Sequence, residues 1–264
     1  MRRLRLSISN NRKSVVRHSA TVESPISAAR ESHSLPTDNN NNNNNNQRVT
    51  MSSNGECPTT GGKEVPRNNS QTMVARTRWL ALKTIDYTDE KGVQRKWDIA
   101  SRTTKQRDVP DAVIIIPILK SIKNNTLETI VVEQYRPPIA SYAMEFPAGL
   151  VDKNETPEHA AMRELWEETG YLGVVDTSFE RHELCMSPGL CDETINIVII
   201  NVDLDDPQNA NPKQHQDEGE NITVKRVPLT AGFKQVLGTS SGMPISMLYS
   251  FAVGLEMGAK LLKK

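Results

Sequence analysis

Residues 149–171 read GLVDKNETPEHAAMRELWEETGY, and the order of side chains in this stretch decides the fold. Thr156 is a good helix N-cap, Pro157 suits the first helical position because no N–H is needed there, and Gly170 is a natural stop. Together they predict a helix from Thr156 to Thr169. At about 100° per residue, Glu164, Glu167 and Glu168 gather on one side, while Ala161, Met162, Leu165 and Trp166 fill an opposite arc suited to burial. Carboxylates three and four residues apart repel by a few tenths of a kcal/mol per pair, and no basic residue follows at i+4 to relieve them. Gly149 to Asn154 reads as a loop leading into the helix. The unit is a loop–helix–loop whose negative face requires positive charge from outside the chain. Clustered hard oxygen donors suit Mg2+ or Mn2+, which take carboxylates together with phosphate oxygens and water.

Strands surround this helix. Trp79–Tyr87 and Gln94–Ala100 read as two strands joined by a turn around Glu90–Gly92. Ala112–Leu119 and Thr129–Tyr135 read as a buried hairpin turning at Lys123–Asn125. Ile195–Val202 and Ile222–Val227 are further strands, and Pro244–Lys260 is an apolar closing helix. Strands before and after one central helix imply an α+β class with a mixed sheet.

Hydrophobic residues make up only 36% of the 264, low for a chain folded throughout. Residues 1–72 account for this: an Asn run from Asn39 to Asn46, many small polar residues and few large apolar ones predict a disordered tail. Its start carries Arg2, Arg3, Arg5, Arg12, Lys13 and Arg17 before the first acid, Glu23. That pattern is expected of a mitochondrial transit peptide; without import the protein would reside in cytoplasm and nucleus. Residues 73–108 are expected to form a small β subdomain and 109–264 the main domain. The 32 basic and 32 acidic residues cancel, so no global charge favours nucleic acid. Cys57, Cys185 and Cys191 lack paired spacing, which predicts a reducing compartment. The longest apolar stretch, Ile245–Leu255, is too short to span a bilayer. The expectation is a soluble protein without membrane or nucleic-acid partners.

Gly149, Glu155, Arg163-Glu164-Leu165, Glu167-Glu168 and Gly170 together resemble the complete signature of the Nudix hydrolases, with only the final aliphatic slot replaced, by Tyr171. The resemblance implies the Nudix fold: a mixed sheet sandwiched by helices, with the loop–helix–loop carrying the chemistry. It also implies cleavage of a nucleoside diphosphate linked to another group, with Mg2+ or Mn2+ as cofactor. Glu164, Glu168, the Ala148 carbonyl and Glu220 become the implied metal ligands. Glu167, Arg163 and Glu220 become implied catalytic residues, with Arg163 holding a glutamate in place, and Glu155 is structural. Glu220 is drawn from the polar loop Gln216–Glu220, in which Glu218 and then Asp217 are the alternatives.

The flanking segments QYRPP (134–138), EFPAGL (145–150) and MSPGL (186–190) resemble the eukaryotic ADP-sugar pyrophosphatase branch of the family, from about Trp79 onward. That branch implies a homodimer in which Trp79 and Trp97 sandwich adenine from different subunits, stacking being worth roughly 1–3 kcal/mol per base. Arg102 and Arg136 are implied diphosphate contacts, as guanidinium forks suit phosphate. Asp98, Leu150 and Ser187 are further implied substrate contacts. The expected reaction is hydrolysis of ADP-ribose to AMP and ribose 5-phosphate. The alternatives are other nucleotide sugars, oxidised nucleoside diphosphates, or a silent ADP-ribose-binding module.

Overall fold

The computed structural model describes residues 65–230, 232–239 and 242–262, all within one compact unit, Cys57–Lys264. The Asn run and the basic start lie outside the described residues. In chain order the strands are β1 (Arg67–Arg76), β2 (Leu80–Thr88), β3 (Gln94–Arg102), β4 (Ala112–Ser121), β5 (Thr126–Arg136), β6 (Ser141–Glu145) and β7 (Ala148–Leu150). Helix α1 (Pro157–Thr169) follows, then β8 (Val174–Val175), β9 (Leu184–Cys185), β10 (Thr194–Asp203) and β11 (Ile222–Pro228). The chain closes with α2 (Phe233–Thr239), β12 (Met243–Pro244) and α3 (Ser246–Leu261).

β4, AVIIIPILKS, is apolar almost throughout because both its faces are covered. Val113, Ile115 and Leu119 pack with Ala160, Ala161 and Leu165 of α1. The alternate residue Ile114 belongs to a second core with Phe146, Phe233, Leu248 and Ala252, which α2 and α3 cover. The result is a mixed sheet between helices, with β4 pairing β10 in parallel and β5 antiparallel.

The strand pairing also opens the site. β4 and β5 are paired only from Leu119↔Glu128 to Ser121↔Thr126. Beyond that they diverge: the start of β4 pairs with β7, and the end of β5 pairs with β6. The wedge between them is where the loop entering α1 arrives.

Three expectations are corrected. The tail boundary expected at residue 72 falls inside a strand, because β1 starts at Arg67 and pairs along β2. The N-terminal sheet therefore has three strands, not two. β1 is exposed at every residue, so it carries no apolar alternation that a sequence could reveal. On α1, Met162 and Trp166 are 36% and 38% exposed, whereas Glu168 is only 6% exposed. At about 100° per residue, Glu168 shares its arc with Ala161 and Leu165, so an acid lies inside the buried stripe. Trp166 instead stacks on His215, ring centroids 3.9 Å apart. Among the described residues no helix is long and apolar enough to cross a membrane.

Both ends of α1 are fixed locally. The Thr156 hydroxyl accepts from the His159 N–H at 3.3 Å. Gly170 takes a left-handed φ of 76° and runs so close to Lys213 that an added Cβ would lie 2.3 Å from its backbone nitrogen. Gly170→Ala is expected to destabilise the fold by about 2 kcal/mol or more, adding backbone strain to a clash with main chain. Chemical denaturation of the two proteins measures it, and an unchanged midpoint would contradict this account.

Candidate active site

The wedge between β4 and β5 opens into a cleft of about 680 Å³. The start of β4 and all of β7 form its floor, and Arg136 and Glu145 stand on one wall. Arg163, Glu164 and Glu167 of α1 line it with Arg102 and Glu193, and Asp217 and Glu220 reach it from the loop before β11. Gly149 is required by contact: a Cβ there would stand 1.9 Å from the Glu164 carboxylate carbon. The loop can touch that carboxylate only because residue 149 has no side chain.

Arg163 organises the acidic face. Its Nε and Nη2 donate to Glu155 at 3.0 and 2.9 Å. Nη1 donates to Glu164 at 2.8 Å and to Glu167 at 3.0 Å, and Nη2 also donates to the Leu150 carbonyl at 3.0 Å. No basic residue follows these acids at i+4, and the relief comes from their N-terminal side, where Arg163 pairs with Glu167 at i+4. Its guanidinium is held protonated well above the ordinary arginine range, chiefly by Glu155. Glu155, held well below its usual range by Arg163, also accepts from the Asp152 N–H at 3.1 Å, so it pins the entry loop as expected.

Glu168 has no such cation. It accepts from the Ala148 N–H at 3.2 Å. Burial, then repulsion by Glu164, pushes its carboxyl up to about 8. Burial also raises Glu164 despite its bond to Arg163, and the charge of Glu220 bears on both. Across the cleft, Arg136 donates from Nε and Nη2 to the two oxygens of Glu145, both at 2.8 Å. Arg102 donates from Nε to Glu193 at 2.6 Å. Both carboxylate partners went unassigned in the sequence reading, because an Arg–Glu pair brought together by folding leaves no local signature.

Among the described residues, no three His, Cys, Asp or Glu side chains form a ready-made metal cage. The donor chemistry nevertheless fits a divalent cation. Glu168 is a buried and Glu164 a half-buried carboxylate, the two repel one another, and Mg2+ needs only one or two carboxylates beside phosphate and water. Of the other expected site residues, Ala148, Leu150 and Glu220 line the cleft, but Glu218 does not. Trp97 lines an adjoining cavity of about 490 Å³ that shares Cys185 and Glu193 with the cleft. Trp79 is 58% exposed beneath the Arg78 guanidinium, 4.3 Å from its ring centre. Neither Trp79, Asp98 nor Ser187 lines either cavity; Asp98 instead accepts from Thr84 at 2.6 Å. Tyr171 is buried in the α1 core, consistent with a packing slot.

Residues 110–238 match the family profile described as the NUDIX domain. An uncharacterised Nudix hydrolase of Schizosaccharomyces pombe is 38% identical over 70% of this chain and 89% of its own length. A Mus musculus protein named ADP-sugar pyrophosphatase is 37% identical over 60% of this chain and 72% of its own. A Saccharomyces cerevisiae ADP-ribose pyrophosphatase is 35% identical over 58% of this chain and 65% of its own. A crystal structure titled ADP compounds hydrolase superposes with a TM-score of 0.53 at 22% identity, covering 77% of this chain and 97% of that one. At that identity the likeness speaks for the fold.

The raised carboxyl of Glu168 has a measurable signature. Between its ordinary value of 4.5 and about 8, the native state binds a proton that the unfolded chain releases, so stability falls as pH rises through that window. In metal-free protein, Glu168→Gln removes this loss. Its stability advantage is expected to grow from near zero at about pH 5 to a few kcal/mol above about pH 8. Melting curves of both proteins in chelator across that range test it, and a pH-independent difference would count against the assignment.

Proposed function

The chain belongs to the Nudix hydrolase family, and on that premise we propose that it hydrolyses the diphosphate of ADP-ribose and related ADP-sugars, using Mg2+, to give AMP and ribose 5-phosphate. The observation that carries this reading is one cleft lined by Glu164 and Glu167 of α1 together with two arginines, Arg102 and Arg136, with Glu168 buried on the same helix. Acidic groups that would hold a divalent cation, beside guanidinium forks suited to phosphate, match the charge of a diphosphate substrate. The names of the mouse and yeast relatives support ADP-ribose and ADP-sugars as the substrate class.

Each residue then has a task. Glu164 and Glu168, with the Ala148 carbonyl, would hold a divalent cation, which would supply Lewis acidity toward the phosphates. Arg163 fixes Glu164 and Glu167, so little reorganisation is left for the transition state. Glu145 and Glu193 orient the forks of Arg136 and Arg102 toward the diphosphate. Glu220 takes the proton of the attacking water, and Leu150 borders the reacting groups. Trp97, in the cavity beside the cleft, and Trp79 stack on adenine across a homodimer. Trp79, Leu80, Leu82 and Trp97 expose apolar surface on the N-terminal sheet, and a second copy would cover it.

The proposal is tested by phosphate release with a coupled phosphatase across ADP-ribose, ADP-mannose, UDP-glucose and 8-oxo-dGDP, with and without Mg2+. ADP-ribose turnover only with the metal is the expected result; a preference for UDP-glucose or 8-oxo-dGDP would overturn the substrate class. Glu168→Gln is expected to lower kcat by about 10²–10⁴, and wild-type turnover at saturating Mg2+ would remove Glu168 from the site. For the dimer, mixing inactive Trp79→Ala and Trp97→Ala chains is expected to restore activity, because a hybrid retains one intact sandwich. No recovery despite proven subunit exchange would place each site within a single chain.

A further inference from the structure

The segment leading to Glu220 is anchored on the helix that carries the acids. Helix ends leave carbonyls without intrahelical partners, and the segment 213–216 supplies two of them. The His215 N–H donates to the Glu167 carbonyl at 2.7 Å, and the His215 ring lies against Trp166. The Gln214 side-chain amide donates to the Glu168 carbonyl at 2.6 Å. That same nitrogen donates at 3.0 Å to the carbonyl of Ile222, the first residue of β11. An amide NH2 has two N–H groups. Here one is spent on the helix bearing Glu164 and Glu168, and the other on the strand that begins two residues after Glu220.

Gln216 closes the loop between these anchors. Its Oε1 accepts from the Ile222 N–H at 3.3 Å and its Nε2 donates to the Ile222 carbonyl at 3.0 Å. Between the two lies the turn in which the Glu220 N–H donates to the Asp217 carbonyl at 3.1 Å. The tip residue Gly219 has φ 93° and open space around it. The Glu220 carboxylate also accepts from the Asp217 N–H at 3.2 Å, so the turn holds this side chain while Gln214 and Gln216 pin its ends.

We propose that Gln214 is a positioning residue that sets the separation between Glu220 and the Glu164–Glu168 pair by bridging the Glu168 and Ile222 carbonyls with one amide. This rests on the role given to Glu220 above. Gln214 is itself exposed and lines neither cavity, so it acts through the backbone. A plain cap would add stability without touching the reaction; a spacer alters kcat, since a misplacement of about 1 Å can cost about 10²-fold.

The test is a double-mutant cycle with ADP-ribose and Mg2+. Gln214→Leu keeps the bulk and loses both donors; it is expected to lower kcat by about 10²-fold and to change KM by less than about threefold, because the arginines lie on other elements. Gln214→Lys, whose ammonium can donate to both carbonyls, is expected to recover most of that loss. In a Glu220→Gln background, Gln214→Leu is expected to cost less than about threefold more, as the group it places is already disabled. The proposal is overturned if Gln214→Leu retains wild-type kcat, or if its fractional loss is the same in both backgrounds. Glu220→Gln with wild-type kcat would overturn the role of Glu220 first, and the proposal with it. If Gln214→Leu does not fold, Gln214→Ala carries the same comparison.

Discussion

A single guanidinium ties the loop that enters α1 to the acidic face of that helix. Arg163 lies on α1, yet its five contacts reach the entry loop through Glu155 and the Leu150 carbonyl, and the acidic face through Glu164 and Glu167. Withdrawing charge from water is costly unless it is paired and hydrogen-bonded, and here one half-buried fork serves three carboxylates. Loop geometry and carboxylate geometry therefore depend on each other. Glu168 lies outside this network, and burial beside Glu164 favours its protonated form.

The sheet makes the cleft by a change of pairing rather than by an insertion. β4 begins alongside β7 and ends alongside β5, so the hydrogen bonds along that edge change partner partway along the strand. The sheet that carries the gap has a packed core on each face, so the strands bordering it are buried against helices on both sides.

Much of this was legible in the sequence, and the reasons for the rest are physical. The cap, proline and glycine around α1 act within a few residues, so the helix could be bounded exclusively from local chemistry. The acid cluster was equally visible, and its match to the Nudix signature implied the fold. β1 was missed because strand pairing through the backbone demands no particular side chains, and its residues face solvent on all sides. The burial of Glu168 was missed because an acid among Ala and Leu reads as exposed unless the covering elements are known. Glu145, Glu193 and Gln214 act only across folded distances, so nothing in their neighbourhoods marks them.

The missing side chain at Gly149 makes the shape of the acidic face separable from its charge. A lone methyl there would push the Glu164 carboxylate aside while the net charge of the molecule stayed the same. Losing a glutamate instead removes that charge outright. A Gly149→Ala protein would separate those two effects, moving one carboxylate within the cleft and leaving the charge total untouched.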